Sequence, residues 1–260
     1  MDLLKLAQEF NLKAEFSWTK EIFRKLLRDY NDEQELEWLE LNEEKLYNIE
    51  QTYGSIPHYL GEGVFGLAFV IGDKVLKIMN EYDYPKIKKV YDFLYSGDNQ
   101  SRYLVNIYEI GEFIALENGK KLYYAVMEKV KHKSKVEDGN FELHDKLNDL
   151  IRGMLAPIKR KIQDIKNKRE QHDNRDITDA EIKSITNQMF DYYWLSNMND
   201  KQRNDIKDIV NYFGNGEKRW FYNFISSVVV LVVKDLDKDI HSGNFGTREN
   251  APHIPVHFDF

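Results

Sequence analysis

The chain has 260 residues, enough for one two-lobed domain or two small ones with a sizeable buried core. A composition of 42% hydrophobic and 31% charged residues with only five prolines excludes a disordered or fibrous protein. The net charge of −7 argues against sequence-independent nucleic-acid binding, which needs clustered Lys and Arg, and the absence of cysteine removes disulfides, thiolate metal sites and cysteine nucleophiles.

The N-terminus, Met1-Asp2-Leu3-Leu4, has neither a basic leader nor a small-residue cleavage site, so cytoplasmic residence without a membrane anchor is the expectation. Residues 1–53 form a helical extension. Apolar residues recur there at three and four positions, as in Ile22, Leu26, Leu27 and in Leu36, Leu39, Leu41, and Ser17 and Asn31 are candidate N-caps. From about Tyr53 the texture changes. Gly61, Gly63, Gly66 and Gly72 punctuate β-branched and aromatic runs, Val64 to Ile71 and Lys74 to Met79, which predict a hairpin. A helix follows over Pro85 to Tyr95. Two further strands are expected over Leu104 to Phe113 and Lys121 to Val130, with the turn residues Glu117-Asn118-Gly119 between them. After Val130 the pattern is helical again. It includes a solvated segment of mixed charge from Lys159 to Lys183 and a helical run from Met189 to Phe213. The apolar stretch Phe224 to Val233, interrupted by Ser226 and Ser227, is too short to span a bilayer and reads as buried core.

Three motifs carry chemistry. Gly61-Glu62-Gly63-Val64-Phe65-Gly66 is a G-x-G-x-x-G followed by a strand. Its glycines suit both close backbone approach to phosphates and an ordinary hairpin turn, but a dinucleotide-binding motif needs a helix next, not a strand. Lys77, eleven residues past the last glycine in Val75-Leu76-Lys77-Ile78, is either a solvated strand residue or a cation aimed between apolar neighbours at phosphates. Near the C-terminus, Asp239-Ile240-His241-Ser242-Gly243-Asn244 precedes Val256-His257-Phe258-Asp259-Phe260.

Taken in order, residues 55–260 resemble the protein-kinase superfamily. The D-x-H-x-x-N loop is similar to that of aminoglycoside-phosphotransferase-like and other atypical kinases. Asp259 stands like the Asp of the DFG motif, and Tyr124 to Val130 resembles the strand entering the interlobe hinge, with Met127 as gatekeeper and Glu128 at the hinge start. The resemblance implies an α+β, two-lobed fold that binds ATP between its lobes, with an antiparallel N-lobe over 54–130 and a helical C-lobe over 131–260. It implies that Gly61, Gly63 and Gly66 cover the phosphates, that Lys77 pairs with them, and that Met127, Glu128 and Val130 border the nucleotide. Asp239 would orient the acceptor hydroxyl, while Asn244 and Asp259 would hold Mg2+.

The chain departs from the pattern in three places. Asp237 and Lys238 replace the usual His and Arg. Counting back from Asn106 puts Asp92 at the position of the Lys-pairing Glu, with Glu81 and Asp83 as rivals and a solvated helix residue as the plain alternative. The sequence ends at Phe260, so the expected C-lobe is truncated after the DFG-like motif unless the helical stretch between Val130 and Trp220 substitutes for the missing part. The remaining histidines lack metal-ligand spacing, and no nucleophile elbow is present. The function expected is transfer of the γ-phosphoryl group of ATP to a hydroxyl, first of a protein Ser/Thr. A small-molecule acceptor and a nucleotide- or partner-binding pseudokinase are the alternatives, and an accidental likeness in a helical interaction protein is a third.

Overall fold

The computed structural model describes residues 45, 48–49, 51–53, 58–63, 66–97, 99–112, 121–133, 138–169, 175–195, 199–236 and 240–258. The expected helices before residue 45, with Ser17 and Asn31, lie outside them. The class is α+β, and the chain divides into two units: one contains the residues up to Leu94 together with Asn106–Lys129, the other Tyr95–Val105 and Val130–Phe260.

The first unit is built on an antiparallel sheet of β1 (His58–Gly63), β2 (Gly66–Ile71), β3 (Lys74–Asn80), β4 (Ile107–Glu112) and β5 (Leu122–Glu128), in the order β1-β2-β3-β5-β4. The β-branched and aromatic content of these runs favours the pleated, half-buried surface they occupy. Helix α1 (Tyr84–Leu94) buries Ile87 and Val90 and packs on β4 and β5, with Tyr84 stacked on Tyr123 at 4.0 Å. On the other side of β3, Phe69, Ile71, Leu76 and Ile78 are buried. The helical residues ending at Tyr53 are tied to the sheet by the Tyr53 hydroxyl, which donates to Glu109 at 2.8 Å, and by the Lys45 ammonium, which donates to the Glu112 carbonyl. Gly72, in the β2–β3 turn, has φ +59°, and a Cβ there would lie 2.3 Å from the Tyr53 carbonyl oxygen, so both backbone angle and space demand glycine. Tyr124 donates to the other Glu109 oxygen at 2.7 Å, and burial together with this bond pushes its phenol well above the usual tyrosine range.

The second unit contains α2 (Phe141–Lys168), α3 (Asp179–Phe190), α4 (Asp200–Gly214), α5 (Lys218–Val233) and a small antiparallel sheet of β6 (Lys131–His132), β7 (Phe245–Arg248) and β8 (Ala251–His257). The apolar run expected to be core is the second half of α5, which packs against α2, α3, α4 and β8. Trp220, Phe221, Phe224 and Val228 to Leu231 are all buried, and Ser227 satisfies its hydroxyl on the Phe224 carbonyl at 2.7 Å. Aromatic rings run from Phe213 through Trp220, Phe224 and Phe245 to His257 at centroid spacings of 6.2, 5.3, 5.3 and 5.3 Å. This chain of contacts joins the helical core to β7 and β8. Among the described residues no helix is long and apolar enough to cross a membrane.

Four expectations change in detail. The residues before and within the glycine motif, His58–Gly63, form a fifth strand, β1. The helical run expected from Met189 to Phe213 is divided, with α3 ending at Phe190 and α4 beginning at Asp200. The strand predicted from Leu104 begins at Ile107, because Leu104 bridges His257 in parallel and the Val105 N–H donates to the His257 carbonyl at 2.9 Å. The backbone of that short stretch is therefore used by β8 and not by the five-stranded sheet. The charged segment expected from Lys159 to Lys183 is the end of one helix and the start of another, and its apolar residues Ile162, Ile177 and Ile182 are buried. Arg169 and the capping box of α3 join the two: Glu181 accepts from the Thr178 N–H at 2.8 Å and from Arg169 at 2.6 Å.

The Thr178 N–H, then the Arg169 guanidinium, hold the Glu181 carboxyl at about 2, against an ordinary 4.5. A carboxylate with a depressed folded-state pKa contributes stability above its unfolded value and loses it as pH falls through the folded one. Glu181→Gln is therefore expected to flatten the decline in stability between about pH 4.5 and about pH 2, measured by urea denaturation at a series of pH values.

Candidate functional site

Lys77 occupies the middle of β3, where side chains alternate between faces. Leu76 and Ile78 share one face with Phe69 and are buried; Val75, Lys77 and Met79 share the other, on which Met79 is buried as well. The register places Lys77 opposite Ala68 of β2 and Ala125 of β5, so small residues flank its stem on both neighbouring strands. The next row on that face is Val70, Val75 and Met127, with Met127 buried and itself opposite Ile107. An apolar strip therefore adjoins the lysine.

The lysine side chain is 13% exposed and its ammonium lies 2.6 Å from an oxygen of Asp83, itself 6% exposed. The second Asp83 oxygen accepts from Lys86 at 3.1 Å, and the Asp83 carbonyl accepts from the Lys86 and Ile87 N–H groups at the start of α1. One residue thus ends the turn after β3, starts the helix and binds the cation. The assignment of Asp92 as the lysine's partner is corrected: Asp92 is 59% exposed and pairs with Lys88 at 3.0 Å, one helical turn away. Ile87 and Val90 mark the inner face of α1, and Asp92 sits on the outer one.

The three glycines lie at the end of a β-hairpin. Gly61 and Gly63 are in β1, Gly66 opens β2, and Gly63 pairs directly with Gly66, while Val64 and Phe65 lie outside the described residues. Glu128, expected at the nucleotide, accepts from the Asn106 N–H at 3.1 Å and the Asn106 amide at 2.9 Å, so its carboxylate braces the entry to β4. Val130 packs on β7: a Cβ on Gly246 would lie 2.8 Å from the Val130 Cγ2 and 2.7 Å from the Lys131 carbonyl oxygen.

In the second unit, Ser242–Asn244 is a short 3-10 turn. The His241 Nδ1 accepts from the Gly243 N–H at 3.1 Å, and the His241 carbonyl accepts from the Asn244 N–H at 3.0 Å, so His241 shapes the turn from within. Asn244 is buried, and its carbonyl accepts from the Phe258 N–H at 3.1 Å. That bond holds the residue before Asp259 against the backbone of Asn244. Asp239 and Asp259 themselves lie outside the described residues, and among the described residues no group of three acidic or histidine side chains forms a metal site. The donors that sequence assigns to magnesium, a carboxamide and a carboxylate, are of the oxygen type that ion prefers.

Two residues of the second unit are absent from the sequence assignment of the site. Asn148 accepts the Ser242 N–H at 2.7 Å, and the Nδ1 of His144 shares a hydrogen bond with the Ser242 hydroxyl at 3.0 Å. Their signal was a polar pair at i and i+4 beside Leu147 and Ile151 on the apolar stripe of α2. No protein-family model matches the chain, and no curated protein sequence does.

Removing one member of a mostly buried ion pair leaves the other charge uncompensated, at a cost of about 3–5 kcal/mol. Asp83→Ala is expected to lose about 3 kcal/mol of stability, toward the lower end of that range because Lys77 and Lys86 retain some exposure, whereas Asp92→Ala stays within about 0.5 kcal/mol of the parent. Guanidinium denaturation of the two variants measures both.

Proposed function

We propose that the chain is an ATP- and magnesium-dependent phosphotransferase that passes the γ-phosphoryl group to a hydroxyl acceptor, with a protein Ser/Thr as the first candidate. The observation that carries the reading is the setting of Lys77: a cation mid-strand behind a glycine hairpin, flanked by two alanines, bordered by an apolar strip and oriented by Asp83.

The division of labour follows from chemistry. Phosphates need a cation held in place, and the bond from Lys77 to Asp83 fixes an ammonium on this face of β3. Ala68, Val75 and Met127 offer an apolar surface to a base, and the β1–β2 hairpin offers backbone N–H groups near Gly61, Gly63 and Gly66. In the second unit, Asp239 would align the acceptor hydroxyl and take its proton as the bond to phosphorus forms. Asn244 and Asp259 would hold magnesium, whose charge would offset that gathering on the transferred phosphoryl group. The tie between Phe258 and Asn244 supports the pairing of those two donors. Transfer then depends on alignment and electrostatics more than on covalent catalysis by the protein.

Isothermal titration of ATP with and without magnesium, paired with transfer of radiolabelled γ-phosphate to protein and small-alcohol acceptors, tests this. Lys77→Met should weaken MgATP binding at least ~10-fold, and Asp239→Asn should leave binding within about threefold while lowering transfer by ~100-fold or more. Binding without transfer by the parent chain would replace the enzyme reading with the pseudokinase one, and no magnesium-dependent binding would remove both.

A further inference from the structure

We infer that His144 and Asn148 are positioning residues that fix the turn Ser242–Asn244 from helix α2, a segment 94 residues or more upstream. Ser242 is 4% exposed, and both of its hydrogen-bonding groups on the helix side are taken, its N–H by Asn148 at 2.7 Å and its hydroxyl by His144 at 3.0 Å. Residues four apart on a helix lie on one face, so α2 grips a single residue at two points from one rigid element.

The grip has its own support. The His144 ring is fully buried and meets the ring of Phe213 edge-on at 5.2 Å and 82°, with Tyr212 at 6.4 Å and 71°. Tyr212 is tied in turn to the stretch leading into α2: its hydroxyl donates to Asp138, and its carbonyl accepts from the Lys133 ammonium, which also lies 4.4 Å from the centre of its ring. Opposite the grip, the Asn244 carbonyl is held by the Phe258 N–H. The turn is therefore clamped between α2 on one side and the end of β8 on the other, and a shift of Ser242 moves Asn244, two residues on.

A turn of three residues with two internal bonds does not define its own direction relative to a helical core; external bonds do that. Asn148 supplies the shortest of them, and its role is to set where Asn244 points. The inference rests on the phosphotransferase reading for its kinetic consequence alone; the structural claim stands independently of it.

The test compares Asn148→Leu, which keeps the volume and loses the acceptor, with Asn148→Asp, which keeps an acceptor oxygen. Hydrogen exchange of the peptide spanning 240–246 is measured alongside α5 peptides as a control for global unfolding, with kcat and KM for ATP. The leucine variant should raise exchange at Ser242 and its neighbours ~10-fold or more, with α5 unchanged. It should lower kcat by ~10-fold or more, with a smaller rise in KM for MgATP, because Asn244 is the proposed magnesium donor while the phosphate-pairing lysine is in the other unit. The aspartate variant should restore both towards the parent. Unchanged local exchange in the leucine variant, equal loosening of α5, or no rescue by aspartate would each overturn the inference. Were the parent chain to show no transfer, the exchange comparison would decide the inference by itself and the phosphotransferase reading would be what fails.

Discussion

A lysine in the middle of a central strand has to be compensated, and much of the first unit follows from how this chain does it. Desolvating an ammonium costs several kcal/mol unless a partner charge and hydrogen bonds offset it. Asp83 provides both at 2.6 Å while its carbonyl starts α1, so the link between β3 and the helix is electrostatic as well as covalent. The alanines flanking Lys77 in β2 and β5 leave its stem room to bend toward Asp83. Larger β-branched residues at those two positions would crowd it.

The pair also determines what the site can bind. A lysine without a carboxylate would take any conformer that reached water, whereas Asp83 holds this ammonium in one position. The apolar row of Val70, Val75 and Met127 beside it favours a ligand with a flat apolar part and an anionic part. ATP, the ligand we propose, is of that kind, and the glycine hairpin is the feature of this unit that favours it over other anions of that shape.

Four strands of the sheet were legible from their β-branched and aromatic runs and the turn residues between them, but β1 was not, since its run His58–Gly63 carries two glycines. The apolar run after Trp220 was legible as core because no exposed helix could carry it, and α5 buries it. The lysine's partner was misplaced at Asp92 because counting residues from Asn106 assumes a standard path, whereas pairing depends on which face of α1 a residue occupies; Ile87 and Val90 decide that against Asp92. Glu128 shows a similar limit. Its position in the strand could be read, but its engagement with Asn106 depends on the register of β4 against β5. The polar pair His144 and Asn148 marks a helix face in the sequence, but nothing local names its partner, 94 residues or more away. In the second unit, the helices between Val130 and Trp220 pack against α5, and one of them grips the Ser242 turn.

The central claim, that Lys77 is the cation that meets nucleotide phosphates, is tested most directly with an ATP acyl phosphate, which transfers its acyl group to a lysine amine held beside the bound phosphates. Tryptic mapping by mass spectrometry is expected to find the acyl group on Lys77, in the peptide containing Val75-Leu76-Lys77, and excess MgATP is expected to suppress it. Labelling confined to exposed lysines such as Lys88, or labelling of Lys77 that MgATP does not suppress, would contradict the account.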